Sequence, residues 1–146
     1  MRNRFNFQAI RQQLEATKRV LPVLLAKQAE NYFTDSFKKQ ALGTTTWKEV
    51  QRRTPGTYLY KYPQRPKASS RTRPILIGTG NLRRKVSRSI HESTWKRVRL
   101  VVDLPYAKVH NDGGNNTPPR PYMKQTTELT RMQTKLVTTT VNKIWK

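Results

Sequence analysis

The stretch "LPVLLAKQAENYFTDSF", residues 21–37, decides the fold class. Leu21, Leu25, Ala29, Phe33 and Phe37 recur at every fourth position, with Leu24 and Tyr32 beside them. Side chains four apart lie on one face of an α-helix, so the spacing predicts an amphipathic helix of about 20 residues with its aromatic stripe in a core. Pro22 suits the first turn of such a helix, where its missing N–H has no partner to lose, and Gly43 suits a stop just after Leu42. Upstream, Phe7, Ile10 and Leu14 predict a separate, shorter helix over 5–19.

Working outward, the segment 43–74 contains four prolines and many Lys and Arg, with no sustained period. It reads as a long basic loop with one helical turn near "WKEVQRR", and long loops in small domains are functional or disordered. Tyr58, Tyr60 and Tyr62 alternate, which suits a short strand or hairpin. Ile75, Leu76 and Ile77 form an apolar run closed by Gly78-Thr79-Gly80. "VSRSIHES" and "WKRVRLVVDL" predict two strands turning near "ESTW", with Val98, Leu100 and Val102 on one side of the second strand. "YAKVHND" is one helical turn stopped by Gly113-Gly114. A last helix is expected over 121–145, with Pro121 at its start. The expectation is a single α+β domain, 1–146. Two N-terminal helices and a C-terminal helix pack on one small antiparallel sheet, with an N-terminal helical extension (1–19) and a basic arm (43–74).

Composition sharpens the question of partners. Thirty Lys and Arg stand against eight Asp and Glu, a net charge of +22. Seventeen of the thirty basic residues, and two of the eight acidic ones, fall between Lys38 and Arg99. Such a chain repels itself and calls for an acidic partner, a polyanion or an assembly. Cysteine is absent, which excludes disulfides and thiolate metal sites and is compatible with a reducing cytosol. No apolar run is long enough for a membrane span, and "MRNRFNFQAIRQQ" lacks the apolar core of a secretory signal.

Two motifs invite a catalytic reading. "GTGNL" is neither a P-loop nor a dinucleotide fingerprint, because Arg83 stands where a third glycine is required; Gly78 and Gly80 more simply permit a tight turn into Leu82. "LPYAKVHNDGG", residues 104–114, brings a tyrosine, a histidine, an amide and a carboxylate together. A metal-dependent nuclease needs a second ligand set, yet the only other histidine, His91, lies on an expected strand and carboxylates are sparse. Arg and Lys interleaved with the three tyrosines can hold single-stranded nucleic acid by charge and stacking; docking on an acidic protein explains the same composition.

Four motifs in order carry a resemblance. "LPVLLAKQAENYFTDSF" is similar to the first long helix of the phage virion-morphogenesis, or tail-completion, family of tailed bacteriophages. "ILIGTGNLRRKV" is similar to its strand followed by TG-x-L-x-x-S, matching at Thr79, Gly80 and Leu82, with Lys85 replacing a small polar residue. "YAKVHNDGG" resembles its YA-x-x-HN-x-GG through Tyr106, Ala107, His110, Asn111, Gly113 and Gly114. "PPRPYM" resembles its P-A-R-P-F block through Arg120 and Pro121, with Pro119 for Ala and Tyr122 for Phe. The N-terminal extension, the expanded loop 48–73 and the high charge depart from the family.

The resemblance implies a non-enzymatic protein without cofactor or metal, located in the neck or tail of the virion and assembled in the host cytoplasm. It would form a ring, commonly sixfold, around the DNA channel. The signature residues then form a strand-to-helix corner. Tyr106 is buried with its hydroxyl paired, Ala107 packs closely, and His110 and Asn111 satisfy backbone groups. Gly113 and Gly114 supply positive φ, Pro119-Arg120-Pro121 re-aims the chain, and loop 113–120 meets a neighbouring subunit. A lumen that gripped DNA would impede ejection, so Arg52, Arg53, Lys61, Arg65, Lys67, Arg71 and Arg73 are expected on acidic neck, portal-side or tail proteins, with some contact to genome DNA. The alternative is a nucleic-acid-binding protein acting through 48–73.

Overall fold

The computed structural model describes residues 6–64, 66–114 and 116–145. Its spine is one helix, α1, Phe7–Lys39, of 33 residues. The expected break at Pro22 is absent. A proline inside a helix removes one N–H bond and crowds the preceding turn, costing about 3 kcal/mol in isolation. Here Leu21 and Pro22 are both buried, so tertiary packing holds the helix through the defect. Asn6 caps the start, its side chain accepting the Ala9 N–H at 3.1 Å. None of residues 6–20 is buried, so the first half of α1 stands clear of the core as an arm about 20 Å long.

The helix ends three residues before the expected stop. Gln40, not Gly43, is the left-handed cap of the helix, φ 51°, and its N–H bonds the Ser36 carbonyl. A glutamine is held there because its side-chain oxygen accepts from the Ile75 N–H and from Arg53, both at 3.0 Å, while its carbonyl accepts the Trp47 N–H. Gly43, φ 58°, instead turns a minimal hairpin, β1 Ala41–Leu42 with β2 Thr45–Thr46.

The segment 43–74 is not a plain loop. It holds a 3₁₀ turn, Gln51–Arg53, and two short helices, α2 Tyr58–Lys61 and α3 Lys67–Thr72. Tyr58 and Tyr62 are therefore one helical turn apart, their rings 5.1 Å from centre to centre, and the strand suggested by alternation does not form. The apolar run Ile75–Ile77 is a turn and not a strand, with Leu76 at φ 59°. Helix α4, Asn81–Val86, follows. Gly80 is its N-cap at φ 77°, and Leu82 and Val86 are buried beneath it.

The second ribbon pairs β3, Ile90–Ser93, with β4, Val98–Leu100, antiparallel, and turns through Thr94–Arg97 as expected. Only Leu100 and Val102 of the expected inward row reach the core; Val98 is 37% exposed. The two ribbons form no common sheet. Each packs on α1, as does α4. After the short helix α5, Ala107–Asp112, the last helix, α6, spans Thr127–Asn142 and begins six residues beyond Pro121. Asn111 explains the delay, because its side-chain oxygen takes the N–H groups of Tyr122 and Met123 and keeps the chain extended. Thr126 then caps α6 by accepting the Leu129 N–H. Among the described residues the chain is thus a mixed structure of six α-helices and two two-stranded antiparallel ribbons.

The core gathers on the C-terminal half of α1. Phe37 is fully buried, with Trp47 edge-on at 5.5 Å and Tyr122 tilted at 5.5 Å. Burial, then the nearby Asp112 and Tyr106, pushes the Tyr122 hydroxyl up to about 12 from 10.0. A folded value above the unfolded one stabilises the fold fully below pH 10. That contribution disappears as pH rises through 12, and at most about 3 kcal/mol is involved. Tyr122→Phe should remove the Tyr122 share of the alkaline loss while lowering stability at pH 7 by about 1–2 kcal/mol through the missing bond to the Ala107 carbonyl. Urea unfolding of both proteins from pH 8 to pH 12 measures the difference.

Candidate functional site

The corner at 106–122 is built around one amide. Asn111 Oδ1 accepts from Tyr122 N and Met123 N, both at 3.0 Å, and its Nδ2 donates to Asp112 at 2.7 Å. Asn111 thus satisfies backbone groups as expected. His110 does so only through its main chain, whose carbonyl accepts the Arg120 N–H at 2.9 Å. The His110 ring takes no part in the turn, a correction to the expected role: Nδ1 is buried without a hydrogen-bond partner, and the ring stands edge-on to Tyr106 at 5.7 Å. Burial, then the Arg120 charge, holds His110 below its ordinary 6.5. Asp112 is turned toward Asn111, so no histidine–carboxylate pair forms here.

Tyr106 is less buried than expected, at 40% exposure, and its hydroxyl has only a long 3.4 Å contact from Asn81. Ala107 is buried, and its carbonyl receives the Tyr122 hydroxyl at 2.9 Å. Gly113 has φ 85°, and a Cβ there would stand 3.0 Å from Pro119 Cδ, so glycine is required by both backbone and space. Gly114, φ 143°, pairs with Thr117 through two backbone bonds. Arg120 is buried and donates to the carbonyls of Lys48 and Glu49, and Pro121 offers its carbonyl to the Trp47 indole at 2.6 Å. The Pro-Arg-Pro block therefore re-aims the chain by clamping it to residues 47–49.

The expected contact residues divide. Arg52 donates to the carbonyls of Ser70, Arg73 and Pro74 at 2.6–3.0 Å, an internal clamp that closes α3 onto the 3₁₀ turn. Arg53 bonds Gln40 and pairs with Glu49. Arg71 lies 4.0 Å over the Tyr60 ring. These three are partly structural, a role composition alone does not signal. Lys61 is exposed and Arg73 is half-buried. Arg65 lies outside the described residues, and for Lys67 only its place at the start of α3 is described. Thr79 is exposed at the turn into α4, its carbonyl within 3.3 Å of Arg84.

A second candidate surface was not singled out from sequence. On the projecting arm, Phe7 and Leu14 are 76% and 41% exposed. Together with Ile10, Leu21 and Leu24 they follow alternating steps of three and four, with one polar residue, Thr17, in the row. That seam runs straight through Pro22. Reading a helix break at Pro22 hid the continuity. At the base of the arm, two adjoining clefts of about 340 and 290 Å³ share Leu25, Val98 and Val137, with Leu21, Pro22 and Trp95 completing an apolar groove. The groove lies between α1, the β3–β4 turn and α6.

Among the described residues no group of three His, Asp or Glu could hold a metal ion, and no helix is long and apolar enough to cross a membrane. Comparison with protein-family models, curated proteins and solved structures finds no match.

Removing the Asn111 amide leaves two N–H groups without their acceptor. Asn111→Ala should therefore lower stability by roughly 2–4 kcal/mol, and Gly113→Ala by about 1–3 kcal/mol, whereas Gly78→Ala, with open space around it, should change it by less than about 0.5 kcal/mol. Chemical denaturation midpoints check all three.

Proposed function

We propose that this chain is a structural protein of a tailed-phage virion. It would complete the tail or join it to the head as a ring at the neck, around the DNA channel. The observation that carries the reading is the pairing, on one chain, of a projecting apolar arm and an apolar groove at different places. Surfaces of that kind associate head to tail, and head-to-tail contacts close into rings when the rotation permits. An arm seated in the groove of the next copy removes Phe7, Ile10 and Leu14 from water, at about 25 cal/mol per Å² of apolar surface buried. The four motifs of the tail-completion family, in order between Leu21 and Tyr122, supply the biological setting.

The +22 charge opposes self-association and is offset when acidic neck, portal-side or tail proteins cover the ring. On this reading Lys61 and Arg73 supply contact, while Arg52, Arg53 and Arg71 shape the surface that presents them. The alternative is a nucleic-acid-binding protein using 48–73, in which the same basic segment meets phosphates.

Native mass measurement of the purified chain should show a closed multiple of 17.1 kDa, with six copies expected. Leu14→Asp should reduce it to a monomer that stays folded, because Leu14 lies outside the core. A monomer at every concentration, with salt-dependent binding of short DNA, would replace this reading by the nucleic-acid one.

A further inference from the structure

A concavity lies between the corner and the basic segment, with Arg73 on its wall. It has a volume of about 430 Å³. Arg52, Arg73, Arg120 and His110 line it, and no aspartate or glutamate does. Two of the guanidinium groups are anchored by backbone carbonyls, Arg52 on Ser70, Arg73 and Pro74, and Arg120 on Lys48 and Glu49. Their positive charge is thus fixed in place before any ligand arrives. Arg73 lines the same space from the end of α3.

Two further observations mark the cavity. His110 belongs to the lining, and its Nδ1 is buried behind that surface without a hydrogen-bond partner. The lining also includes Leu76, a branched side chain held at φ 59°, a left-handed conformation that costs a residue of this kind about 1–2 kcal/mol. Ile75 and Ile77 line the cavity on either side of it in sequence.

We propose that this cavity is an oxyanion socket that takes the carboxylate of a glutamate or aspartate side chain from an acidic peptide segment. The planar guanidinium fork matches a planar carboxylate. The Ile75–Ile77 wall fits the methylene stem of the same side chain, and the volume exceeds that of one anion, as a side chain with its backbone requires. A nucleic-acid phosphate fits less well, because it carries a polar sugar on each side and no apolar stem to meet that wall. The inference is independent of the ring reading, since the socket lies within one chain.

The test uses the full-length chain, with tetraglutamate peptide, inorganic phosphate and a single-stranded DNA of about twelve nucleotides as probes. Binding is read at the His110 ring resonances, which separates the socket from the basic surface elsewhere. Tetraglutamate should shift them saturably and at lower concentration than the other two. Arg73→Gln should weaken that response about tenfold or more. Thr79→Glu, an exposed change at the cavity lining that supplies a carboxylate from the chain itself, should abolish it without relying on the arginine variant to fold. Lys143→Gln, an exposed change at the end of α6, should leave it unchanged. Peptide binding that leaves His110 unmoved, an undiminished response in Arg73→Gln and Thr79→Glu, or a stronger response to phosphate or DNA would each overturn the proposal.

Discussion

The contact of Phe37 with Trp47 and Tyr122 is the constraint on which the rest of the structure depends. It draws three distant segments together: the end of α1, the strand exit after β2 and the block before α6. Each ring excludes water from the other two, and burying an aromatic side chain of this size contributes roughly 2–3 kcal/mol. The polar atoms at its edge are all paired. Trp47 donates to Pro121, Tyr122 donates to Ala107, and Asn111 accepts from Tyr122 and Met123. Once residues 119–123 are held there, Arg120 can reach Lys48 and Glu49, and the corner at 107–113 closes behind it.

Similar internal pairing explains how so basic a chain folds. Several of its cations act as internal ties: Arg52 and Arg120 cap backbone carbonyls that short helices and turns leave open, and Arg53 bonds the Gln40 side chain. Glu30, buried on α1, accepts the Ser89 N–H and pairs with Lys27, fixing the segment between α4 and the β3–β4 ribbon against the spine. The interior is therefore self-sufficient around α1 from Leu21 onward. What it leaves open to solvent is the apolar row of Leu14 and Leu24 on α1, the groove at the arm's base and the arginine-lined cavity. Those are the features from which we propose assembly and partner contact.

Much of this was legible in the sequence where one local signal acts alone. The four-residue step of Leu21, Ala29, Phe33 and Phe37 marks a buried helix face, alternation around Val98 and Leu100 marks the ribbon, and Gly113 marks a corner that admits no side chain. Reading failed where tertiary contacts outvote local preference. Pro22 signals a break, yet packing carries the helix through it. Gly43 signals a stop, yet Gln40 makes enough bonds with Ile75, Arg53 and Trp47 to end α1 first. Ile75–Ile77 has strand composition, but Leu76 turns the chain. The internal duties of Arg52 and Arg120 were invisible because a charge in a sequence does not say which carbonyl it meets.

The central claim is that the arm of one copy occupies the groove of another. The natural chain has no cysteine, so an engineered pair reports that contact cleanly. Leu14 lies eleven residues along α1 from Leu25, which lines the groove with Val137. That is about 16 Å of helix, beyond the ~7 Å a disulfide spans, so a bond between the two sites joins different copies. Oxidising Leu14→Cys/Val137→Cys should give a ladder of cross-linked chains ending in one closed species, while Leu14→Cys alone stays uncross-linked. Dimers from Leu14→Cys alone, or no cross-link in the double variant, would contradict arm-in-groove assembly.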